Sequence, residues 1–537
     1  MATDTTNSSQ PTSKKFKFAG VQVKPMARQN KTISLLPAEQ LLRQLLLDCR
    51  DDMQHRRSDS PSPNSDLEIW ITEGWVRDKL LGIQTSDIDI ALSTMTGVDF
   101  GKLLGDFFYR NDATYRQQAT KIGVPFHLLF TDFKKTTCNP GMSKKLETAI
   151  GKVFGLDIDL VNLRTEVYTD NSRNPQMKFG TAREDAFRRD ATVNSLFYDL
   201  DKQQVEDFTR KGLNDMAVGI MRTPLKPYQT FIDDPLRVLR IIRFASKLGY
   251  AIDEEAKQSM KDKRIQKALN EKVSRERIGI EVIKMMNDRN PSLAFKLIYE
   301  ADLYSTVFLG PTVTDQALTN FLPHQNSDHP WPTTWPHAYQ VLTALLDHTT
   351  SVGKALGKEL VQSEEKSENL WTTAAYAPIA SLRCRNRKLK QVVKDVTEAI
   401  RATKKVTQLV EDSIKHMGGI QSAIDLVTAP NGSTIPRSIV CMVIKSWGTT
   451  WKLQVLYSLL AEVVYEASED FFFAIQLRRY STFMDFIFRQ NLQDSPLVKP
   501  ILNGNDIKEL FKLDKTGAVI KTILDGLLTW QFDHEGS

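Results

Sequence analysis

The sequence predicts a small α/β head, built on a small mixed sheet with helices, followed by a mostly α-helical neck, body and tail. Three strand-like segments lie early in the 537-residue chain, at 67–72, 86–92 and 156–164. From residue 181 onward the apolar residues recur mostly at helical spacing, apart from one hairpin-like piece at 195–209. Strands that cluster before a long run of helices favour this two-part architecture.

The first elements frame the predicted head. Residues 37–54 have helical periodicity, and a Pro- and Ser-rich loop follows at 55–66. The strands at 67–72 and 86–92 are joined by a helical turn with the sequence VRDKLLG. The stretch 101–150 has no clear periodicity, so we predict that it is irregular. Together the patterns predict five segments: an N-terminal extension at 1–36, the head at 37–210, the neck at 211–290, the body at 291–430 and a helical tail at 431–537.

Composition narrows the class of protein. Hydrophobic residues make up 41% of the chain and charged residues 25%, as in ordinary globular proteins. No apolar run reaches the roughly 18 residues of a membrane span, so we expect no membrane association. Four scattered cysteines indicate a reducing compartment and argue against a structural zinc site. The net charge of +6 is compatible with a nucleic-acid partner.

The N-terminal extension leaves the compartment open. Its Ser, Thr and Lys content fits a disordered tail or a mitochondrial targeting sequence, and Met26 offers an alternative start. We therefore expect the protein in the cytoplasm, the nucleus, the mitochondrion or several of these.

A pair of aspartates marks the first candidate site. Asp87 and Asp89 lie two residues apart on a predicted strand and so point to the same face, while Ile88 and Ile90 point into a core. Side-by-side carboxylates suit Mg²⁺, and two such ions can activate an attacking hydroxyl and stabilise a leaving phosphate. The pair alone is also compatible with a solvated strand face.

The residues around the pair favour the catalytic interpretation. A neighbouring strand offers Asp157 and Asp159 on one face as sources of a third acid. Upstream, Gly74 would let backbone N–H groups approach a phosphate, and Arg77 can pair with a phosphate oxygen. A strand, a glycine turn, a short helix and a strand with paired acids together form the plan of a nucleotidyltransferase site.

The string GWVRDKLLG…DIDIAL resembles motif A of the class II nucleotidyltransferases in the polymerase-β superfamily. This group includes CCA-adding tRNA nucleotidyltransferases and bacterial-type poly(A) polymerases. The resemblance implies a polymerase-β-like head in which Asp87 and Asp89 bind the catalytic metals and Gly74 and Arg77 contact the nucleotide. It also makes Asp159 the candidate for a third metal ligand.

A second cluster lies in the segment 181–200, which we predict to be a helix running into a strand. Asp190 and Asn194 would then share one helix face, although an exposed helix with ion pairs has the same pattern. RRDATVN resembles motif B of the family, which implies that Arg188, Arg189, Asp190 and Asn194 bind the triphosphate and ribose. The longer string SRNPQMKFGTAREDAFRRDATVNSLFYDL is similar to the eukaryotic CCA-adding enzymes.

A third cluster begins at Asp234, a predicted helix N-cap followed by Pro235. A carboxylate and a guanidinium side by side match the pairing edges of C and A but not of U and G. FIDDPLRVLRIIRF resembles motif D, which implies that Asp234 and Arg237 read the incoming base and that Arg240 and Arg243 lie at the nucleotide pocket. On the residues alone, these arginines also fit a solvated face or phosphate contacts to RNA.

Three further stretches have weaker functional patterns. EDFTRKGLNDM resembles motif C, which implies a hinge around Gly212. VSRERIGIEVIKMM resembles motif E, which implies structural roles for Arg277 and Glu281. The basic stretch 383–394 fits either a phosphate-backbone contact or a solvated face.

The function that the resemblance implies is template-independent addition of C, C and A to the 3′ end of tRNA, and by the same resemblance the tail at 431–537 binds RNA. CTP and ATP would be the substrates, two Mg²⁺ ions the cofactors, and the tRNA acceptor stem and 3′ end the partner, with no stable protein partner implied. A poly(A) polymerase of the same superfamily is the alternative within this chemistry. A catalytically weakened RNA-binding homologue is the alternative outside it, because Glu73 stands where the family has glycine.

Overall fold

A computed structural model describes residues 32–57, 67–135, 148–169, 172–309, 334–347, 351–361, 365–380, 388–430, 435–466, 470–512 and 517–534. They form two compact units, the first ending at Thr306 and the second beginning at Val307. The five-segment division of the sequence stays a prediction. Most of the extension, including Met26, most of the loop at 55–66 and the first half of the basic stretch lie outside the described residues.

The strands all lie in the first unit. In chain order they are β1 (Ile69–Thr72), β2 (Asp87–Leu92), β3 (Lys134–Lys135), β4 (Ala149–Val153), β5 (Leu156–Asn162), β6 (Arg164–Thr169), β7 (Ser172–Phe179), β8 (Phe197–Asp199), β9 (Gln204–Glu206), β10 (Ile220–Met221) and β11 (Ala251–Ile252). Seven of them form one mixed sheet in the order β3-β4-β5-β2-β1-β8-β9. Only β2 and β5 run parallel in this sheet. β6 pairs with β7, and β10 pairs with β11.

The rest of the described chain is mostly helical. The helices are α1 (Pro37–Arg57), α2 (Gly74–Leu80), α3 (Gly97–Arg110), α4 (Asp112–Lys121), α5 (Ala182–Phe187), α6 (Gly212–Val218), α7 (Pro227–Asp233), α8 (Leu236–Leu248), α9 (Glu254–Met260), α10 (Lys263–Lys272), α11 (Arg275–Asn287), α12 (Pro291–Glu300), α13 (Tyr304–Phe308), α14 (Trp335–Leu346), α15 (Ser351–Leu360), α16 (Ser367–Tyr376), α17 (Leu389–Thr397), α18 (Lys404–Thr428), α19 (Arg437–Trp447), α20 (Trp451–Glu466), α21 (Asp470–Arg489), α22 (Gly504–Leu510) and α23 (Ala518–His534). None of the helices described is long and apolar enough to cross a membrane.

The predicted head is confirmed as an α/β unit with a small mixed sheet. β1, α2 and β2 occupy the predicted places, and β8 and β9 form the predicted hairpin. Ile88 and Ile90 are fully buried, as the alternation of β2 requires. The outward face of β2 is therefore the face that holds its two aspartates.

The prediction that residues 101–150 are irregular is wrong over its first part, where α3 and α4 form. Thr96 caps α3, since its hydroxyl accepts a hydrogen bond from the Asp99 N–H at 3.1 Å. Gly97 and Gly101 obscure the helical pattern in the sequence, yet they allow close packing. A Cβ on Gly97 would lie 2.0 Å from the Leu160 carbonyl oxygen of β5, and one on Gly101 would lie 2.8 Å from Cβ of Phe133.

The segment 181–200 runs from a helix into a strand as predicted, but its helix is shorter than expected. α5 ends at Phe187, and only a single 3₁₀ turn at Thr192–Asn194 follows before β8. The Thr192 N–H donates instead to the Arg222 carbonyl at 2.8 Å. Its hydroxyl donates to Asp215 at 2.7 Å. These tertiary hydrogen bonds replace the helical ones, and the hairpin β6–β7 just upstream was not predicted either.

The second unit is a helical assembly whose core includes large aromatic side chains. Trp335, Tyr376 and Tyr457 are fully buried, and the Tyr457 hydroxyl donates to the Tyr376 carbonyl at 2.9 Å. The buried Tyr480 hydroxyl contacts Glu462 at 2.8 Å. Buried aromatic side chains contribute much of the apolar packing of such a core, and its helical character is as predicted.

Candidate active site

Four carboxylates share one face of the sheet. Asp87 and Asp89 of β2 pair in parallel register with Asp157 and Asp159 of β5, and paired residues on adjacent strands project to the same side. Asp157 has its own cation, because Lys152 Nζ lies 2.5 Å from its Oδ1. The predicted neighbour relation between the two acid-bearing strands is therefore confirmed.

The charges around the acid pair disfavour ionisation of both members. Burial, then Glu73, Asp87 and Asp159, raise the pKa of Asp89 to about 8. Burial, followed by Asp157 and Glu73, also raises the pKa of Asp87. Carboxylates with raised pKa values gain from a nearby cation, so this end of the sheet favours binding of a positively charged ligand.

Glu73 stands at the junction of β1 and α2 in an unusual backbone conformation. Its φ is 61° and its ψ is −133°, and its side chain makes no hydrogen bond to the start of α2. Residues with a Cβ adopt such angles rarely and at a cost of about 1–3 kcal/mol. The backbone conformation of this acid is thus unfavourable, and its charge raises the pKa values of Asp87 and Asp89.

The turn that follows brings Arg77 inward. Its side chain is 3% exposed, with Nε donating to Asp78 at 2.7 Å and Nη1 donating to the Asn194 side-chain oxygen at 2.5 Å. A Cβ on Gly74 would meet only Arg77 Nη2, at 3.5 Å. Among the described residues, therefore, no protein atom would clash with a Cβ at this position. The space beside Gly74 is open enough for a ligand.

A chain of hydrogen bonds joins the three predicted clusters. Asn194, which accepts from Arg77, donates to Asp190 at 3.0 Å, and Asp190 accepts from Arg240 Nε at 2.7 Å. Burial alone would raise the pKa of Asp190, but Arg240, the Asn194 amide and Arg237 hold it at about 2. Asp190 is therefore a charged junction between the turn at Gly74 and α8.

Arg188 and Arg189 share one buried carboxylate. Arg188 Nε lies 2.9 Å from Asp185 Oδ1, and Arg189 Nη2 lies 2.8 Å from Asp185 Oδ2. Arg189 also donates to the Asn194 carbonyl at 3.0 Å and lies over the ring of Phe197. Both arginines are thus held in fixed orientations by α5 and the segment after it.

The predicted base-reading residues lie at the start of α8. This helix begins at Leu236, one residue later than predicted, but Asp234 Oδ1 still accepts from the Leu236 N–H at 3.2 Å. The other oxygen of Asp234 faces Arg277 Nη2 of α11 at 3.8 Å. Arg237 is 8% exposed and Arg243 is 9% exposed, so a solvated helix face is excluded for both.

Comparisons with known proteins place this geometry in a family. Residues 69–222 match the Poly A polymerase head domain, and residues 249–316 match the probable RNA and SrmB-binding site of polymerase A. The chain is 33% identical over 520 residues to the mitochondrial CCA tRNA nucleotidyltransferase of Saccharomyces cerevisiae, covering 94% of this chain and 91% of the relative.

The chain belongs to the CCA tRNA nucleotidyltransferase family.

Solved structures support the fold of this family member. The Thermotoga maritima CCA-adding enzyme complexed with tRNA has a TM-score of 0.55 at 17% identity, over 92% of this chain and 90% of that one. A CCA-adding enzyme in complex with CTP has the same TM-score and identity, over 92% and 94%. At this identity they establish the fold, and the predicted polymerase-β-like head is confirmed.

The structure brings most of the predicted nucleotidyltransferase residues together. Hydrogen bonds link Arg77 to Asn194, Asn194 to Asp190, and Asp190 to Arg240. These four residues come from three segments that are distant in the chain. Arg243 instead donates to the buried Glu281 of α11 at 2.6 Å. Glu281 therefore has the structural partner that was expected, while the nucleotide contacts of these residues stay predictions.

Sequence reasoning missed three residues that support the nucleotidyltransferase site. Asp185 holds two arginines, and its spacing of three and four residues before them was a usable signal. Glu39 of α1 accepts from the Trp75 indole N–H at 3.1 Å and from Lys79 at 2.7 Å, bracing α2. Phe244 of α8 lies among three arginines. The contacts of Glu39 with Trp75 and Lys79, and of Phe244 with Arg77, span long sequence separations and left no local signal.

Proposed function

We propose that this chain adds C, C and A to the 3′ end of tRNA without a nucleic-acid template, using CTP and ATP. In each step the 3′-hydroxyl of the tRNA attacks the α-phosphate of the nucleotide, a new phosphodiester bond forms, and pyrophosphate leaves. The observation that carries the proposal is the hydrogen-bonded chain from Arg77 through Asn194 and Asp190 to Arg240, next to the acid-bearing strands. Such convergence of distant polar residues is typical of a preorganised site.

The residues have distinct roles in this proposal. Arg188 and Arg189 bind the triphosphate, while Asp190 and Asn194 contact the ribose and fix the position of Arg240. Gly74 leaves room for phosphate next to the turn, and Arg240 and Arg243 lie at the nucleotide pocket. Asp234 accepts from the exocyclic amino group of C or A, and Arg237 donates to the adjacent ring nitrogen.

The donor set of the acid pair fits Mg²⁺. Asp87 and Asp89 would hold the metal, with Asp159 as a third candidate, since Mg²⁺ takes one or two carboxylates together with substrate phosphates and water. Among the described residues no three acid, His or Cys side chains form a ready-made metal cluster, in keeping with a site completed by substrate. When bound, the metal supplies charge stabilisation at the phosphates and lowers the pKa of the attacking hydroxyl.

An end-addition assay tests the proposed function. Purified protein is incubated with tRNA lacking its CCA end, Mg²⁺, CTP and ATP, and the 3′ ends are sequenced. We expect complete CCA ends, a loss of at least about a hundredfold in Asp89→Asn, and near-normal activity in Asp157→Asn. Long adenosine tails made without CTP would instead establish the poly(A) polymerase alternative. An absence of CMP incorporation would rule out CCA addition.

A weakened RNA-binding homologue remains a second candidate function, favoured by the conformation and charge of Glu73. Its carboxylate acts electrostatically on Asp87, Asp89 and Arg189, so it opposes a bound triphosphate. We expect Glu73→Gly to raise kcat/KM for CTP on the order of tenfold, because it removes both the charge and the strained side chain.

Two variants separate the effects at Glu73. Glu73→Gln removes the charge but keeps the backbone strain. Glu73→Ala also removes the charge and keeps the strain, but it has a shorter side chain. A rise in activity in all three variants would identify the charge as the cause, whereas a rise in Glu73→Gly alone would identify the backbone. Unchanged kcat/KM in all three would show that Glu73 does not limit the reaction.

We infer a mitochondrial location, which the name of the Saccharomyces cerevisiae relative supports. The cytoplasm and the nucleus stay predictions. Fluorescent fusions of chains starting at Met1 and at Met26 would separate these compartments. Mitochondrial signal from the Met1 chain is expected, and its absence there would contradict the inference.

A further inference from the structure

The ring of Phe244 lies among three arginines from two parts of the chain. The guanidinium carbon lies 4.0 Å from the ring centroid in Arg243, 5.1 Å in Arg77 and 5.5 Å in Arg240. The side chain is 8% exposed, so these contacts are largely shielded from water. All three distances fall within the range of cation–π attraction, which strengthens when the cation is desolvated.

Each of these guanidinium groups also has one carboxylate partner. Arg77 contacts Asp78 at 2.7 Å, Arg240 contacts Asp190 at 2.7 Å, and Arg243 contacts Glu281 at 2.6 Å. In Arg240 and Arg243 the carboxylate engages Nε. Within the part of the chain that the structure describes, the Nη groups of these two arginines donate no hydrogen bond to protein. They therefore have N–H groups left for an anion.

Three like charges around one side chain repel one another, so their placement needs an explanation. An aliphatic side chain would fill the same space but would offer the guanidinium groups no electrostatic attraction. The aromatic face offers attraction without a hydrogen-bond acceptor, and so it leaves the N–H groups free. The ring also links Arg77, which follows the turn at Gly74, to two arginines of α8.

We propose that Phe244 is a positioning residue that holds Arg77, Arg240 and Arg243 in place for the triphosphate of the incoming nucleotide. The proposal rests on the proposed function for the identity of that ligand. Because the arginines would meet phosphates and not the base, the effect of Phe244 is the same for CTP and ATP. Phe231 of α7 provides a comparison, since it is fully buried and, among the described residues, no guanidinium lies over its ring.

The test uses the full chain with Phe244→Leu, Phe244→Tyr and the matched packing control Phe231→Leu. CTP and ATP binding are measured by calorimetry without tRNA, and kcat, KM and Tm are measured in parallel. We expect Phe244→Leu to raise Kd and KM for both nucleotides on the order of tenfold. Phe244→Tyr keeps the aromatic face and should restore binding to within about threefold of the parent. Phe231→Leu should lower Tm while leaving both Kd values unchanged.

Several results would overturn this role of Phe244. A folded Phe244→Leu protein that binds CTP and ATP like the parent would do so, as would an equal loss of binding in Phe231→Leu. A change in the ratio of CTP to ATP affinity would assign Phe244 to base reading instead. A parent protein that binds neither nucleotide would leave the three arginines without the proposed anion. The end-addition assay is separate, so a parent that binds nucleotides but extends no tRNA refutes CCA addition alone.

Discussion

If Asp89 holds Mg²⁺ as proposed, the proton and the metal compete for its carboxylate. Because its folded-state pKa is about 8, well above the ordinary value of 3.8, the protonated acid contributes stability that is fully present below pH 4. That contribution is lost as the pH rises through about 8. Mg²⁺ would take the place of the proton, so the stabilising effect of Mg²⁺ should grow as the pH rises towards 8.

We therefore predict that the rise in Tm caused by Mg²⁺ is larger at pH 8 than at pH 6. Differential scanning fluorimetry with and without Mg²⁺ measures it, using a buffer whose own pKa varies little with temperature. In Asp89→Asn the Mg²⁺ effect should be small and independent of pH. An equal Mg²⁺ effect at both pH values in the parent would contradict a protonated Asp89.

At the residue scale, local rules predicted where side chains point but not what they touch. The alternation of β2 correctly placed Asp87 and Asp89 on one face, because that rule needs only neighbouring residues. The partners of Arg77 and Arg240 lie 117 and 50 residues away in the chain. Asp190 and Asn194 were paired correctly for the wrong reason, since a hydrogen bond between side chains joins them and not a helix face.

At the element scale, α3 and β5 pack so closely that one helix position has no room for a side chain. Gly97 is the first residue of α3 and packs against the backbone of Leu160, the residue that follows Asp159. Gly105 lies two turns later in the same helix, and a Cβ there would make only ordinary contacts, at 3.8 Å or more. The two glycines thus offer a matched pair within one element.

We predict that Gly97→Ala lowers both stability and end-addition activity, because it forces α3 away from an acid-bearing strand. A loss of about 2 kcal/mol or more in the free energy of unfolding is expected, as for overpacked sites. Gly105→Ala should be neutral or up to about 1 kcal/mol more stable, from the helix propensity of alanine. Urea denaturation monitored by circular dichroism gives both values, and equal effects in the two variants would refute this packing argument.

The two errors in predicting helices, at α3 and after Phe187, have the same physical cause, which is tertiary contact. α3 contains glycines that propensity reads as breaks, but tertiary packing against β5 and Phe133 uses them as points of close approach. The segment after Phe187 has helical composition, but hydrogen bonds from Thr192 to Arg222 and Asp215 end the helix there. Strands with regular alternation and long amphipathic helices were predictable, because their patterns are complete within a short window.

At the scale of the whole molecule, net charge is the property most relevant to an RNA partner. The chain holds 71 Lys and Arg against 65 Asp and Glu. Cationic contacts to phosphates release counterions, so RNA affinity falls as salt rises.

We predict that tRNA binding weakens by at least about tenfold between 50 and 200 mM KCl. CTP binding should change much less, and an equal change for both ligands in a filter-binding and calorimetry series would contradict tRNA recognition through many phosphates.

The order of head before helical body was predictable because strands precede helices along the chain. No boundary was predicted between Thr306 and Val307, and the five-segment division stays a prediction. A boundary of this kind depends on which helices pack together, and periodicity does not encode that.

Glu39 sets a limit on how far the N-terminus can be trimmed. Its buried carboxylate accepts from the Leu36 N–H at 2.7 Å, as well as from Trp75 and Lys79. A mature chain produced by cleavage upstream of residue 36, or by translation from Met26, would keep all three bonds. A protease cut just after Glu39 would remove the carboxylate and leave Lys79 without its buried partner next to the turn at Gly74. All three hydrogen bonds are therefore kept by any N-terminus that lies before Leu36.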